Sequence, residues 1–324
     1  MASFYSDGLQ FHYATRGAGP ETFLFQHGIG GSHLQPLRFL QPINEQGSGI
    51  DRQHTCCQQL RIAAFDFRAH GRTPVGDPQK LRLDTFADDL AAFMDHLQVE
   101  SAVLGGISMG AAVALNAALR YPQRCVALVL SRPAWLNGSM SATAIAAYRE
   151  AAKYLKEELS PERALQRLEN SEIYRAVVIQ SADAGKSLLG QVRCVVSDPS
   201  LREAALARLQ HLPSGQPGVN LACAVAVSVP TMVLATPSDP IHPLSYARSL
   251  AATIPGALYV ELAPKQMDDA PHVREVNDHL VKFLNSVLAC FEPKFGGHSR
   301  MVRASQATTE RRSPTQSVQA NFGL

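Results

Sequence analysis

The sequence predicts an α/β fold, with a mostly parallel central sheet, helices on both of its faces and a small helical cap inserted into it. Three observations carry this expectation. Continuous apolar runs of strand length recur along the chain, and runs of that kind suit strands buried on both faces. Amphipathic segments with helical spacing separate them, the alternation that builds a parallel sheet. One long stretch between two of the runs is helical and poor in strands.

In chain order, FHYATRG (11–17) and TFLFQHG (22–28) read as strands around a Gly-Pro turn, and RIAAFDF (61–67) as a strand ending in turn residues. Residues 83–97 place Phe86, Leu90, Phe93, Met94 and Leu97 at helical spacing, with Asp84 or Thr85 as the expected cap. SAVLGGIS (101–108) is a short buried strand, and 111–122 is a helix stopped by Pro122. The runs at 126–131, 231–236 and 257–262 are further strands, and 272–291 is a long amphipathic helix. The resulting division is a core of residues 1–136 and 221–292, a helical cap of residues 137–220 and a disordered tail of residues 293–324, where Ser, Thr, Gln and Arg replace apolar periodicity. Residues 41–60 read as a polar surface loop, and the cap interior is expected to be aliphatic, from Ile145, Leu155, Leu159, Leu165, Leu168, Val177 and Leu188.

Composition narrows the function. Of 324 residues, 46% are apolar and 18% charged, which is globular rather than disordered. Lys and Arg number 30 against 28 Asp and Glu, so no strong field selects nucleic acid as a partner. No uninterrupted apolar run reaches membrane-spanning length, and the N-terminal residues show no basic start followed by an apolar run. The expectation is a cytoplasmic protein acting on a small-molecule substrate, with no membrane partner and with its six cysteines as free thiols. His54, Cys56 and Cys57 lack zinc-ligand spacing, and neither a metal nor an organic cofactor is expected.

The chemistry is concentrated in three motifs. GGISMGAA (105–112) sets Gly106-x-Ser108-x-Gly110 between a buried strand and a helix, the context of a nucleophile elbow, in which a sharp turn pushes a serine hydroxyl out of the sheet. HGIGGS (27–32) follows another strand, and its glycines let the backbone fold back so that the N–H groups of Ile29 and Met109 form an oxyanion hole, with His27 supporting the loop. The third motif is DFRAHGRTP (66–74), where Asp66, Arg68 and His70 are expected to brace a turn.

In this order and spacing the three motifs resemble the α/β-hydrolase fold family, and most closely its cofactor-free esterases, enol-lactonases and C–C bond hydrolases. The resemblance covers residues 10–135 and 225–290, with Ala69 and Thr73 standing where the family usually carries Gly and often Ser. It implies that an acid and then a histidine follow the serine along the chain. The acid candidate is Asp239 in ATPSDPIHP (235–243). The family's Gly-His after the last strand is missing, its slot falling near Lys265 or Gln266, so the expected base is His272, the first histidine beyond that strand. The competing reading makes His272 a surface residue of the last helix. His242, close to Asp239 in sequence, and His279, in mid-helix, are poorer base candidates. Trp135 either lines the pocket or packs at the cap hinge.

The catalytic set expected from sequence is therefore Ser108, Asp239 and His272, with Ile29 and Met109 as oxyanion donors, cleaving an ester or lactone of a largely apolar substrate. A serine nucleophile argues against the epoxide and haloalkane chemistry for which similar enzymes use a carboxylate. A C–C hydrolase or lyase, and a binding protein that has lost its base, are the alternatives.

Overall fold

The computed structural model describes residues 2–40, 60–264 and 270–289. The expected tail, nearly all of the polar insertion, the Lys265–Gln266 slot, and Cys56, Cys57 and Cys290 lie outside them.

Eight strands form one sheet in the order β1-β2-β4-β3-β5-β6-β7-β8. They are β1 (Ala2–Ser6), β2 (Leu9–Arg16), β3 (Glu21–Gln26), β4 (Leu60–Phe65), β5 (Ala102–Ile107), β6 (Cys125–Ser131), β7 (Thr231–Ala235) and β8 (Leu258–Glu261). β1 and β2 are antiparallel to their neighbours, and every pair from β4 to β8 is parallel. The expected parallel sheet is thus observed, with an antiparallel edge. Sequence reading missed β1, whose five residues turn straight into β2 through Asp7 and Gly8, both at positive φ.

The helices follow from the same pattern. α1 is Leu34–Phe39, α2 Leu83–His96 and α3 Met109–Arg120; α4 (Ala142–Glu157), α5 (Pro161–Glu169), α6 (Glu172–Gln180), α7 (Ala182–Ser197) and α8 (Arg202–His211) follow β6; α9 is Leu244–Thr253 and α10 Ala270–Ala289. Successive strand side chains point to opposite faces. Leu24, Leu104, Leu128, Leu130 and Val233 share a core with Phe86 and Leu90 of α2, Val113 of α3 and Leu250 of α9. Phe23, Phe25, Val103, Ala127, Val129, Met232 and Leu234 face the other way, onto Leu37 of α1 and Leu280 and Leu284 of α10.

Five helices, α4 to α8, separate β6 from β7 where the cap is expected. Serines cap the starts of four of them: Ser141, Ser160, Ser171 and Ser181 each accept from a backbone N–H three residues on. Leu155, Leu168, Val177 and Leu188 are buried in the core, and Ile145 and Leu165 pack against it. Leu159 is a correction, being 97% exposed in the link between α4 and α5. Its neighbours Glu158 and Ser160 both leave the helical conformation, so periodicity does not extend through it. The cap of α2 also differs: Arg82 precedes Leu83 and makes no side-chain capping bond, its guanidinium pairing instead with Asp84 in the first turn.

Candidate active site

Register places the site. Gln26 of β3 lies opposite Gly106, Ile107 of β5 opposite Ser131, and Ser131 of β6 opposite Leu234. The carboxyl ends of β3, β5, β6 and β7 therefore end at one edge, where ligand crevices of open parallel sheets form. The four segments that leave this edge carry His27, Ser108, Arg132 and Asp239.

Ser108 has φ 56° and ψ −107°, a left-handed conformation that costs a non-glycine residue energy and is held by its surroundings. Its N–H donates to Ser131 O at 2.9 Å, and its carbonyl accepts from Ala111 and Ala112 at the start of α3. The flanking glycines are required by close approach. A Cβ on Gly106 would lie 2.4 Å from the Gly110 carbonyl carbon, and one on Gly110 would lie 2.4 Å from Gln26 O. The sharp turn expected from the motif is thus present.

The partner of this serine corrects the sequence reading. His242, not His272, stands between Ser108 and Asp239. The Ser108 hydroxyl lies 2.9 Å from His242 Nε2, and His242 Nδ1 lies 2.7 Å from Asp239 Oδ2. This geometry suits an Nδ1–H donating to the carboxylate and an Nε2 accepting from the hydroxyl. His272 is instead buried in the first turn of α10, where it lines a neighbouring cleft. The surface alternative for His272 is equally not observed.

A single turn holds both Asp239 and His242. Asp239 Oδ1 accepts from the N–H groups of Ile241 at 3.0 Å and His242 at 3.2 Å, an Asx-type turn that orients the carboxylate from within. Pro237, Pro240 and Pro243 bracket the turn and fix its φ angles. The Ser141 hydroxyl at the start of α4 donates to Pro240 O at 3.0 Å, joining the cap to the turn. Burial opposes charge on Asp239, but the adjacent His242 and the Arg132 guanidinium, 3.7 Å from Oδ2, outweigh it and hold the carboxyl well below the usual carboxylate range. Arg132 also pairs with Asp183 of α7 at 2.7 Å.

The loop after β3 lies close to the elbow. The position of a Cβ on Gly28 is 3.4 Å from Ser108 Cβ, and Gly30 adopts φ 76° where any side chain would collide with Gln191. Gln191 of α7 donates to Ile29 O at 3.0 Å, so the cap anchors this loop too. Neither the Ile29 nor the Met109 N–H donates to a protein acceptor among the described residues, which suits the expected pair of oxyanion donors.

His27 braces the loop. Phe67 N–H donates to its Nε2 at 3.1 Å, so Nδ1 carries the proton and donates to Gly28 O at 2.8 Å. Asp66 accepts from the backbone of His33 and Arg72 and from the His33 ring, while Arg68 forms a two-pronged pair with Asp89 at 2.7 Å. Ala69, where the family usually has Gly, takes φ 61° in the same turn. Trp135 is buried in a crevice with Leu115 and Val219, away from the main cleft, which settles its place as packing beneath the cap.

Burial lowers the His27 pKa from 6.5 to about 4, outweighing the bond to Gly28, and burial likewise holds His70 well below its ordinary value. Between these limits the unfolded chain binds protons that the folded one refuses. Stability is therefore complete above the unfolded value and lost as pH falls through the window, by about 3 kcal/mol from His27 alone. Denaturant midpoints measured from about pH 7.5 to about pH 4.5 are expected to fall, and His27→Gln is expected to flatten the fall. An unchanged slope in that variant would show that His27 does not carry the effect.

A cleft of about 590 Å³ beside the site runs along Gly30, Gly31 and Ile107. The Ser108 side chain is not part of its wall; the cleft borders Ser108 through Ile107 and the loop after β3. Among the described residues no cluster of His, Cys, Asp or Glu could hold a metal ion, and no helix is long and apolar enough to cross a membrane.

The eight-stranded, mostly parallel sheet with helices on both faces, and the strand–turn–helix at Ser108, have the α/β-hydrolase fold. The sequence model of the alpha/beta hydrolase fold matches residues 21–159. Among curated relatives, the dihydrolipoyllysine-residue acetyltransferase component of the acetoin cleaving system from Cupriavidus necator is 33% identical over 129 residues, 39% of this chain and 30% of that protein. A 3-oxoadipate enol-lactonase from Acinetobacter baylyi is 34% identical over 83 residues, 25% of this chain and 30% of that protein. The chain thus spans less than a third of the length of either relative. The enol-lactonase structure from Burkholderia xenovorans is similar with a TM-score of 0.65 at 19% identity, covering 87% of this chain and 99% of that one, a likeness of fold.

Proposed function

We propose that this protein is a serine hydrolase that cleaves a carboxylic ester or lactone through an acyl-serine intermediate. The observation that carries the reading is the continuous relay from Ser108 Oγ through His242 to Asp239, with separations of 2.9 and 2.7 Å. In this reading His242 Nε2 takes the proton as Ser108 attacks the carbonyl carbon, and returns it to the leaving oxygen as the carbon–oxygen bond breaks. The ionised Asp239 holds the ring in the tautomer that leaves Nε2 free to accept, and stabilises the imidazolium. The Ile29 and Met109 N–H groups stabilise the oxyanion. Water, activated by the same histidine, then releases the acid and restores the hydroxyl. The buried, paired His27 and His70 take no part in this scheme.

Hydrolysis of p-nitrophenyl acetate and butyrate tests it, together with labelling by a fluorophosphonate. The expected result is turnover by the wild type, a single label on Ser108, and loss of both in Ser108→Ala. Turnover that survives Ser108→Ala would sink the acyl-serine route. A wild type inert towards every ester and lactone offered, yet active on a vinylogous C–C substrate, would move the protein to the alternative class.

A further inference from the structure

We propose that Arg208 is the receptor for a carboxylate on the substrate, so that the ester or lactone cleaved here carries an acid group on its acyl part; the word substrate rests on the serine-hydrolase reading, the anion site does not. The argument begins with two buried arginines of unlike surroundings. Arg68 is almost fully buried and neutralised by Asp89 and Asp7. Arg208, on cap helix α8, is 3% exposed, and no carboxylate pairs with it among the described residues. A guanidinium stays charged at any accessible pH, so a buried one without a counter-charge is costly unless a ligand supplies it.

Its hydrogen bonds are also incomplete. Nη1 donates to Ala69 O at 3.1 Å, and Nη2 to Cys194 Sγ at 3.1 Å. That sulfur is shared with the Gln191 carbonyl, 3.2 Å away, and is a weak acceptor beside a carboxylate oxygen. Nε–H is buried and has no acceptor among the described residues. Planar, forked donors of this kind match a carboxylate.

The location suits a substrate group. Arg208 lines the same cleft as Gly30 and Ile107, which border the oxyanion loop and the elbow. Arg38, Arg132 and His272 line it too, and no carboxylate does among the described residues. Of the other two arginines, Arg132 is already paired with Asp183, while Arg38 is exposed. Among the described residues, Arg208 is thus the buried arginine of this cleft that no carboxylate pairs with. A single carboxylate group supplies the counter-charge that this guanidinium lacks.

The test compares p-nitrophenyl butyrate with the p-nitrophenyl monoester of glutaric acid, in wild type and in Arg208→Met, with Arg208→Gln as a second variant should the first fold poorly. The expected result is a wild-type preference for the acidic ester. Its kcat/KM is expected to fall about 10- to 100-fold more than that of the neutral ester in either variant, mainly through KM. Calorimetry of glutarate on Ser108→Ala, with and without Arg208→Met, reads the site without turnover, and the second change is expected to weaken binding by a similar factor. Equal losses on both esters, or glutarate binding indifferent to Arg208, would overturn the proposal and leave the hydrolase reading standing. Glutarate held through Arg208 by a wild type that cleaves neither ester would support the anion site and count against the hydrolase reading instead.

Discussion

His242→Ala is expected to lower kcat/KM for p-nitrophenyl butyrate by about four orders of magnitude, close to the effect of Ser108→Ala, because members of a relay act as a unit. His272→Ala is expected to cost less than about tenfold, through altered packing of the cleft rather than loss of a proton acceptor. The two predictions separate the base that stands 2.9 Å from Ser108 Oγ from the one that chain order suggested. Steady-state kinetics on both variants, with a melting curve for each to confirm folding, would decide between them. A His272→Ala enzyme as dead as Ser108→Ala, beside an active His242→Ala, would return the base to α10.

The largest effect on stability is expected at the buried pair behind the site. Asp89 meets both Arg68 Nε and Nη2 at 2.7 Å, and both side chains are nearly inaccessible. Asp89→Ala removes the fully buried counter-charge and leaves Arg68 with Asp7, whose carboxylate is 40% exposed and shared with Lys80. Breaking such a pair from one side typically costs about 3 to 5 kcal/mol, since an uncompensated charge remains inside. The double change Arg68→Met with Asp89→Leu is expected to be milder than either single change, since apolar groups can replace a buried pair at little cost. Urea midpoints of the three variants would check this. A double variant no more stable than the singles would mean that the pair contributes mainly through geometry.

Much of this arrangement was legible in the sequence, for definite reasons. Strands buried on both faces read as unbroken apolar runs, so β3 to β7 stood out, whereas β1 is a five-residue edge strand with little apolar signal. The elbow was legible because two glycines at fixed offsets from Ser108 answer a steric demand that no other residue meets. Asp239 was legible from its place after β7. The histidine was not, because both His242 and His272 follow Asp239 along the chain, and chain order alone does not separate a base held in the turn after β7 from one beyond β8. In a tight turn the residues at i and i+3 come together, so the pattern Asp239-Pro240-Ile241-His242 between prolines was the available signal. Leu159 misled for the opposite reason: its apolar character was counted as helical although the chain breaks there. The unpaired charge of Arg208 was out of reach, because pairing across α8, the turn at Ala69 and α7 depends on tertiary contacts with no sequence period.

The acid–base turn also changes how many parts must be aligned. A relay whose three members come from three separate loops has two junctions to keep in register, each subject to the thermal motion of its own loop. Here Asp239 and His242 belong to one proline-bracketed segment whose internal hydrogen bonds already fix one junction. Only the junction between that segment and the elbow remains to be set by the tertiary structure. In this reading the base comes from the segment after β7 rather than from beyond β8, so a shift of α10 against the sheet leaves the Asp239–His242 junction untouched.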